Sequence, residues 1–204
     1  MWVGTRAGLG RWDGYNMTVF RSNPEDPSSL SNPNIWALYE DHRGTIWVGT
    51  EGGGLNRYDA GTDQFTRYMH DPADSSSLSQ DRVSFVFEDL EKNLWVATSG
   101  GGLDRFHSDT GGFTHLFGDR QPFPCGWGIY QRTVLPLDDG RFLLTSVGAG
   151  AAVLDPQTSC ATRDFLGTNI DLIDCPNILD ALRDARGSFW FATSEGVEIG
   201  RAHV

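Results

Sequence analysis

The sequence predicts an all-β repeat protein, and three observations lead to this prediction. Glycine makes up 25 of the 204 residues, and each glycine inside a helix costs about 1 kcal/mol relative to alanine. Several short stretches alternate apolar and polar residues, as a half-buried strand does, whereas no stretch of adequate length follows a helical period. The third observation is a segment that recurs at regular intervals along the whole chain.

The repeat is clearest around two tryptophans, Trp47 and Trp95, which stand 48 positions apart. Trp47 begins WVGTEGGGLNRYD, and Trp95 begins WVATSGGGLDRFH. An earlier copy begins at Trp2, a later one contains Trp190, and Leu143 occupies the same register in a fourth copy without a tryptophan. Five copies therefore recur every 45–48 residues.

Each copy divides into four short strands separated by turn signals. In the second copy these strands are IWALYED, TIWVGT, GLNRYD and QFTRYMH. The turn DHRG offers an aspartate and a permissive glycine, and the triple glycine lets the chain reverse where a Cβ atom would clash. Four strands in a unit of 40–50 residues are the signal of a β-propeller blade. The predicted architecture is a partial β-propeller of four-stranded antiparallel blades, about three of them complete and two incomplete.

The predicted organisation is one propeller fragment over residues 1–198. Its blades are expected at 1–21 (partial), 34–72, 82–117, 127–166 and 176–198 (partial). Three complete blades are too few for a closed ring, which has roughly four to eight. The last six residues, IGRAHV at 199–204, resemble translated adapter sequence, so we expect a non-native tail on a piece of a longer protein.

Residues that recur in every copy are expected to build the blades. Blade faces become buried only when neighbouring blades stack, so large residues in a constant register indicate packing between blades. The predicted structural residues are Trp2, Trp47, Trp95, Trp190, Gly54 and Gly102. The spacing Asp-x-x-Gly-x-x-Trp, as in Asp41, Gly44 and Trp47, predicts a turn device. The recurring Arg11, Arg57 and Arg105 are expected to pair with nearby carboxylates or backbone.

Charge and cysteine content exclude several classes of function. The net charge is −11 and Lys92 is the only lysine, so nucleic acid is not an expected partner. No apolar run approaches the roughly 20 residues that span a bilayer. Cys125, Cys160 and Cys175 fit neither a disulfide-dense scaffold nor a zinc site. In an oxidising compartment either Cys125 or Cys160 could pair with Cys175, and the sequence leaves both pairings open.

A combination of motifs resembles the two-component regulator propeller repeat. It consists of D-P-x-D-x-x-S-L-S, then E-D near a glycine, then L/I-W-V-G-T, then G-G-G-L-x-R-Y/F, and it extends over residues 1–198, most strongly through residue 106. The resemblance implies seven-bladed propellers in the extracytoplasmic sensor of an inner-membrane protein. A small β-sandwich, a membrane helix and an output module, such as a histidine kinase, hybrid regulator or diguanylate cyclase, would follow.

The same resemblance implies a periplasmic, non-enzymatic module in a dimeric, membrane-anchored parent, which signals to an output domain. Several members of the family sense oligosaccharides, so a small-molecule or oligosaccharide ligand is expected. No cofactor, metal site or catalytic residue is predicted, and His42, His70, His107 and His115 are interpreted as solvated side chains. A protein-interaction propeller and, less favoured, a fragment of a propeller hydrolase or lyase are the alternative functions.

The candidate ligand surface consists of residues that do not recur. Trp36, Arg82, Trp127 and Tyr130 stand near the starts of first strands, which meet on one face of a propeller around its central channel. Aromatic rings there could stack on sugar C–H groups and the guanidinium could hold polar groups. For each residue taken singly, packing between blades is the competing interpretation.

Overall fold

The computed structural model describes residues 1–116, 131–146, 150–157, 160–162, 177–184 and 186–201. All regular elements in these ranges are strands, which confirms the predicted all-β class. Within the same ranges there is no helix long and apolar enough to cross a membrane. The chain divides into two compact units, Met1–His115 and Leu116–Val204.

The first unit contains three antiparallel sheets, each of which follows chain order. Blade 1 consists of β1 (Trp2–Thr5), β2 (Gly8–Trp12) and β3 (Met17–Phe20). Blade 2 consists of β4 (Ile35–Glu40), β5 (Ile46–Thr50), β6 (Leu55–Asp59) and β7 (Gln64–Tyr68). Blade 3 consists of β8 (Val83–Glu88), β9 (Leu94–Thr98), β10 (Gly102–Phe106) and β11 (Phe113–His115).

The second unit contains two sheets of the same kind. Blade 4 consists of β12 (Gln131–Pro136), β13 (Phe142–Ser146), β14 (Gly150–Asp155) and β15 (Cys160–Thr162). Blade 5 consists of β16 (Ile178–Arg183), β17 (Ser188–Thr193) and β18 (Gly196–Arg201). Strand β18 pairs with β17 as far as Arg201, so it includes the first three residues of the predicted tail. The origin of that tail and the predicted domain bounds stay predictions.

The turn between the first two strands is held by one aspartate. In blade 2 the Oδ1 atom of Asp41 accepts hydrogen bonds from the amides of Arg43 and Thr45, at 2.9 and 2.8 Å. Its Oδ2 atom accepts the indole N–H of Trp47 at 2.9 Å. Gly44, with φ at 78°, completes the turn in the left-handed region. The same aspartate–tryptophan bond joins Asp89 to Trp95 and Asp184 to Trp190.

The blades stack through apolar side chains in constant register. Each blade has a back face, toward the blade before it, and a front face, toward the blade after it. Three buried clusters follow this scheme. Between blades 1 and 2 lie Leu9, Leu30, Ile46, Val48, Tyr58 and Phe65; between blades 2 and 3 lie Trp47, Leu55, Leu78, Leu94, Val96 and Phe106; between blades 4 and 5 lie Leu143, Ala151, Val153, Ile178, Phe189 and Phe191.

The recurring P-x-D-x-x-S-L-S segment, at Pro24–Ser31 and Pro72–Ser79, covers the outer edge of the blade that follows it in sequence. The amide of Phe65 in the outermost strand of blade 2 donates to the carbonyl of Ser28 at 2.8 Å, and Phe113 of blade 3 donates to Ser76 at 2.7 Å. The leucines of the two segments, Leu30 and Leu78, are fully buried between blades. The segment therefore blocks a sheet edge that would otherwise present unpaired amides.

The glycine loop between the second and third strands needs its glycines for two reasons. Gly54 and Gly102 have φ values of 70° and 94°, which side chains rarely adopt. A Cβ atom on Gly54 would lie 2.1 Å from the carbonyl oxygen of Tyr68. Backbone packing, rather than ligand contact, therefore explains this repeated position.

Candidate functional site

The antiparallel meander separates two ends of each blade. The turns that join strand one to two and strand three to four lie at one end. The loop between strands two and three, and the connection from the previous blade, lie at the other, which we call the connection end. Trp36 and Arg82 both lie at this connection end, one at the start of β4 and the other directly before β8.

Each described first strand of blades 2–5 has a bulge at its second residue. In blade 2 Ile35 pairs with Thr50 and Ala37 with Gly49, so Trp36 is the extra residue. A bulge frees its residue from the ladder and changes the direction of its side chain, and bulges are common beside functional sites. The bulged residues are Trp36, Ser84, Arg132 and Leu179. The bulge recurs in each of these four blades, whereas the residue at the bulge differs from blade to blade.

The structure brings two of the predicted ligand residues together. The Trp36 side chain is 46% exposed, and the guanidinium carbon of Arg82 lies 5.8 Å from its ring centroid. This distance is within the range of a cation–π interaction. Two backbone contacts fix the position of Arg82. Its carbonyl accepts the amide of Ser99 at 2.8 Å, and its backbone forms an isolated antiparallel β-bridge with that of Glu51.

Polar groups surround this pair at the connection end. The side-chain amide of Asn34 donates to the carboxylate of Glu51, and the amide of Glu51 donates to the carbonyl of Asn34 at 3.0 Å. Asn32 donates from its side chain to the carbonyl of Glu51 at 3.1 Å. The Oδ1 atom of Asn34 is buried and has no hydrogen-bond partner among the described residues. The loop and the two strand starts therefore form one hydrogen-bonded surface with an unused acceptor.

The other two predicted ligand residues, Trp127 and Tyr130, lie outside the described residues. Cys125 and Cys175 also lie outside them, so the two disulfide alternatives stay predictions. In sequence register Tyr130 corresponds to Arg82, since each directly precedes the first strand of its blade. Their part in a site stays a prediction.

Sequence reasoning missed a polar link at the opposite, turn end of blades 2 and 3. Glu88 is nearly buried, and its carboxylate accepts the amide of His42 at 2.9 Å and contacts His42 Nδ1 at 2.5 Å. The hydroxyl of Tyr39 donates to the same carboxylate at 3.3 Å. Burial, followed by the negative charge of Glu88, raises the pKa of Tyr39. The interpretation of His42 as a solvated side chain was therefore wrong. The signal that could have revealed this contact is Glu88, an acidic residue in the next repeat of the sequence.

The second missed cluster lies inside blade 3. The carboxylate of Asp104 is fully buried and accepts the hydroxyl of Ser79 at 2.6 Å and the amide of Ser79 at 3.0 Å. Its other oxygen lies 2.7 Å from His115 Nδ1. The serine hydroxyl is bonded to the carboxylate and not to the imidazole, so the histidine cannot activate it as a nucleophile. The cluster instead anchors the edge-covering segment, because His115 Nε2 also contacts the carbonyl of Ser75 at 3.1 Å.

The recurring arginines have different partners. Arg11 forms an ion pair with Asp63 at 2.7 Å, and Arg105 donates to the side-chain oxygen of Asn93 at 2.6 Å. Burial, together with the hydrogen bond to Asp63, raises the pKa of Tyr58 to about 12. Hydrogen bonds from Tyr58 and then from Arg11 lower the pKa of Asp63. These groups join blades 1 and 2 and have the character of structural contacts.

The described side chains contain no group of three or more histidine, cysteine, aspartate or glutamate residues that could hold a metal ion. Asp138 and Asp139, which lie in the turn between β12 and β13, contact arginines. Asp138 forms an ion pair with Arg183 at 2.5 Å, and Asp139 forms one with Arg141 at 2.6 Å.

The fold and these contacts define a β-propeller repeat protein. Residues 29–52 match the family model of the two component regulator propeller. This segment therefore matches the two component regulator propeller repeat, as the motifs predicted. The matched residues include the end of the edge-covering segment, the bulged strand β4 and the turn held by Asp41.

Two solved structures have a similar fold. One is the extracellular domain of BT3049 from B. thetaiotaomicron, assigned to the hybrid two component systems, with a TM-score of 0.83 and 23% identity over 99% of this chain and 27% of that one. The other is the extracellular domain of BT4673 from the same organism, assigned to the one component systems, with a TM-score of 0.76 and 22% identity over 97% of this chain and 27% of that one.

A curated relative, Histidine kinase P4 of Formosa agariphila, is 52% identical over 31 residues, which are 15% of this chain and 2% of the relative. The chain thus spans about a quarter of the two solved extracellular domains and a small part of the kinase. The two solved structures support the propeller architecture.

Proposed function

We propose that this chain is a ligand-binding part of an extracytoplasmic sensor, a non-enzymatic propeller module within a longer bacterial signal-transduction protein. The observation that carries the proposal is the exposed Trp36 ring beside the Arg82 guanidinium, at a bulged position whose residue changes from blade to blade. The recurring tryptophans Trp47 and Trp95, which build the blades, are by contrast buried. Trp36 is an exposed aromatic residue at a recurring β-bulge, and the residue at that bulge varies between blades. Exposure makes the ring available to a ligand, and variation at this position allows specificity.

The proposed ligand is a neutral oligosaccharide. A half-exposed indole offers a flat apolar surface for sugar C–H groups, and Arg82 and Glu51 offer a donor and an acceptor for hydroxyl groups. The net charge of −11 disfavours polyanions. Trp127 and Tyr130 stay proposed ligand residues on sequence register alone, since Tyr130 shares the register of Arg82.

The remainder of the proposal concerns the whole protein. The module would lie in the periplasm as part of an inner-membrane, dimeric parent that carries further blades and an output domain such as a histidine kinase. The similarity to extracellular domains of two-component systems and to a histidine kinase supports this setting. No chemistry is assigned to the propeller itself, because the described site presents an aromatic and a guanidinium without a positioned nucleophile or paired carboxylates.

Calorimetric titration of the chain with a panel of neutral oligosaccharides tests the proposal. We expect binding by some members of the panel, and Trp36→Ala and Arg82→Ala should each weaken it by about tenfold, which corresponds to about 1.4 kcal/mol. Tyr15→Ala is the matched control, because Tyr15 is 89% exposed on a turn of blade 1, away from the connection end of blade 2.

Three results would contradict the proposal. Silence across the panel would favour a propeller that binds another protein. Binding that Trp36→Ala and Tyr15→Ala reduce equally would show that the bulged tryptophan is not part of the site. Turnover of a glycan that a single carboxylate or histidine substitution abolishes would identify a hydrolase or lyase.

A further inference from the structure

Arg57 is equivalent to Arg11, because each pairs across its sheet with the tryptophan position of its blade. The two side chains differ in their partners. Arg11 Nη1 donates to the carboxylate of Asp63 at 2.7 Å and to the hydroxyl of Tyr58, both of which belong to the next blade. Arg57 makes no hydrogen bond or ion pair within the part of the chain that the structure describes. One recurring guanidinium is therefore neutralised by the protein, and its equivalent is not.

Two differences between the repeats remove the partners of Arg57. By strand register, Phe106 of blade 3 corresponds to Tyr58 of blade 2, and Gly111 corresponds to Asp63. The backbone is similar at the second position, since Asp63 and Gly111 have φ values of 58° and 73°. The backbone opposite Arg57 therefore keeps its course, whereas the hydroxyl and the carboxylate that would accept from the guanidinium are lost.

The partner of the third recurring arginine is also missing in blade 2. Arg105 donates to the side-chain oxygen of Asn93 at 2.6 Å. The amides of Asn93 and Thr45 both donate to the aspartate of their own turn, so Thr45 is the equivalent residue of blade 2. Its shorter side chain forms no hydrogen bond with Arg57. Neither of the two arrangements that hold Arg11 and Arg105 is therefore available to Arg57.

Arg57 lines a cleft of about 390 Å³ at the turn end, between blades 2 and 3. Each of these blades is a complete four-stranded sheet. Lys92, the only lysine of the sequence, lines the same cleft and also makes no hydrogen bond or ion pair among the described residues. The cleft carboxylates Asp41, Glu88 and Glu91 already accept hydrogen bonds from the protein. Two positive charges therefore line the cleft without an acceptor of their own.

Tyr68 provides a further donor beside Gly111. It occupies the register of Phe20 in blade 1, and so carries a hydroxyl that blade 1 lacks at this position. A Cβ atom on Gly111 would lie 3.8 Å from the ring carbon Cε1 of Tyr68. Burial raises the pKa of Tyr68, and the positive charge of Arg57 opposes this rise, so the guanidinium lies close to the ring. An acceptor beside Gly111 would therefore meet both donors.

We propose that the cleft between blades 2 and 3 binds a small molecule through a carboxylate, held by Arg57 at the position that the Asp63 carboxylate has beside Arg11. The planar guanidinium matches the geometry of a carboxylate, and hydrogen bonds between the two are stronger than those between neutral groups. Lys92 contributes a second positive charge, which favours a dicarboxylate. The site lies at the end of the blades opposite Trp36, so this inference does not depend on the proposed function.

Succinate and its neutral analogue succinamide test the proposal at constant ionic strength. The indole N–H resonance of Trp47, which lines the cleft, follows binding by NMR, and Trp47→Phe assigns it. We expect a saturable shift with succinate and none with succinamide. Arg57→Gln should raise the dissociation constant for succinate by about tenfold or more, because it removes the charge that holds the carboxylate. Arg6→Gln, at an exposed position in the loop between β1 and β2, is the matched control and should bind as the unaltered chain does.

The double variant Phe106→Tyr/Gly111→Asp returns both missing acceptors to the cleft. Aspartate suits the backbone at the second position, since Asp63 adopts a similar φ value in blade 2. The variant should keep Arg57 and lose the response to succinate, because the protein itself then neutralises the guanidinium. Circular dichroism and melting establish that each variant is folded, and Gly111→Asp alone replaces the double variant if the latter is not.

Four results would each overturn the proposal. They are the lack of a saturable shift in the unaltered chain, an equal shift with succinamide, equal weakening by Arg6→Gln and Arg57→Gln, and an undiminished response in the folded variant with restored acceptors. None of these results bears on the binding of neutral oligosaccharides at Trp36, so the two proposals fail separately.

Discussion

The interface between blades 2 and 3 and the interface between blades 4 and 5 occupy the same register with different residues. In the first, Trp47 of the front face packs in one cluster with Leu94 and Val96. In the second, Leu143 takes the tryptophan position and packs in one cluster with Phe189 and Phe191. A large residue facing two small ones is replaced by a small residue facing two large ones. The comparison teaches that the stack conserves the volume at the interface rather than the residue, as close packing requires.

The turn that precedes this position changes together with it. Asp41 of blade 2 accepts the indole N–H of Trp47, whereas the equivalent residue of blade 4 is Leu137, which is buried in the same cluster as Leu143. Once the indole donor is gone, a buried aspartate would lose a hydrogen bond and an apolar residue is favoured. The polar contact between neighbouring blades also has its acidic and basic partners exchanged. In blades 2 and 3 His42 contacts the carboxylate of Glu88, whereas in blades 4 and 5 the carboxylate of Asp138 pairs with Arg183.

The largest expected effect comes from removal of the large residue in the first interface. Trp47→Ala should lower the free energy of unfolding of the first unit by about 3–5 kcal/mol, because a cavity replaces a buried indole. Urea denaturation followed by circular dichroism measures the loss. Tyr15→Ala, at a highly exposed position, should change stability by less than about 0.5 kcal/mol. Equal losses in the two variants would break the comparison.

An intermediate effect is expected when the second interface is overfilled. Leu143→Trp should destabilise the second unit by about 1–3 kcal/mol, since the cluster already contains two phenylalanines. Adding Phe191→Val, which copies Val96 of blade 3, should restore part of the loss. A double-mutant cycle measures the coupling between the two positions. Additive effects would show that volume is not exchanged across the interface.

The polar links should differ in strength. Glu88→Ala should cost about 1–3 kcal/mol, because it leaves the Tyr39 hydroxyl and the His42 amide without their buried acceptor. Arg183→Ala should cost less than about 1 kcal/mol, because its partner Asp138 is largely exposed to solvent. Thermal melts of the two variants against the unaltered chain provide the test, and the reverse order would contradict the assignment.

The smallest expected effect is a dependence on acid. Burial by itself would raise the pKa of Asp41, but hydrogen bonds from the Trp47 indole and from the amides of Thr45 and Arg43 outweigh it and lower the pKa. This carboxylate therefore stabilises blade 2 above its unfolded pKa of about 3.9, and the contribution is lost as the pH falls through the lower folded value.

Asp41→Asn should remove that part of the acid sensitivity. Melting temperatures between pH 6 and pH 2.5 measure it, and the unaltered chain should lose more stability than the variant over this range. Leu137→Val, in the turn of blade 4 that lacks the aspartate, serves as the control and should keep the full acid sensitivity. A variant Asp41→Asn that retains the unaltered pH profile would show that the carboxylate does not titrate with folding.

The 48-residue period was sufficient to predict the strands, their turns and the stacking of blades, because each element is encoded locally. Period-two alternation, the Asp-x-x-Gly-x-x-Trp turn and the glycine loop all depend on neighbours within one repeat. The pairing of Trp36 with Arg82 could be anticipated only as two residues on one face. The contacts of His42 with Glu88 and of Asp104 with Ser79 and His115 were not anticipated, since they join residues of different strands, segments or blades.

The sequence by itself determined the class of fold and the resemblance that the family model matches over residues 29–52, because glycines, turn aspartates and the spaced tryptophans recur at fixed positions in most copies. Only the tertiary structure decided which side chains are presented and which are buried. It showed that a bulge at Trp36 releases a varying residue from the ladder. The physical reason is that burial depends on which blade packs next, and a residue's own repeat does not encode that neighbour.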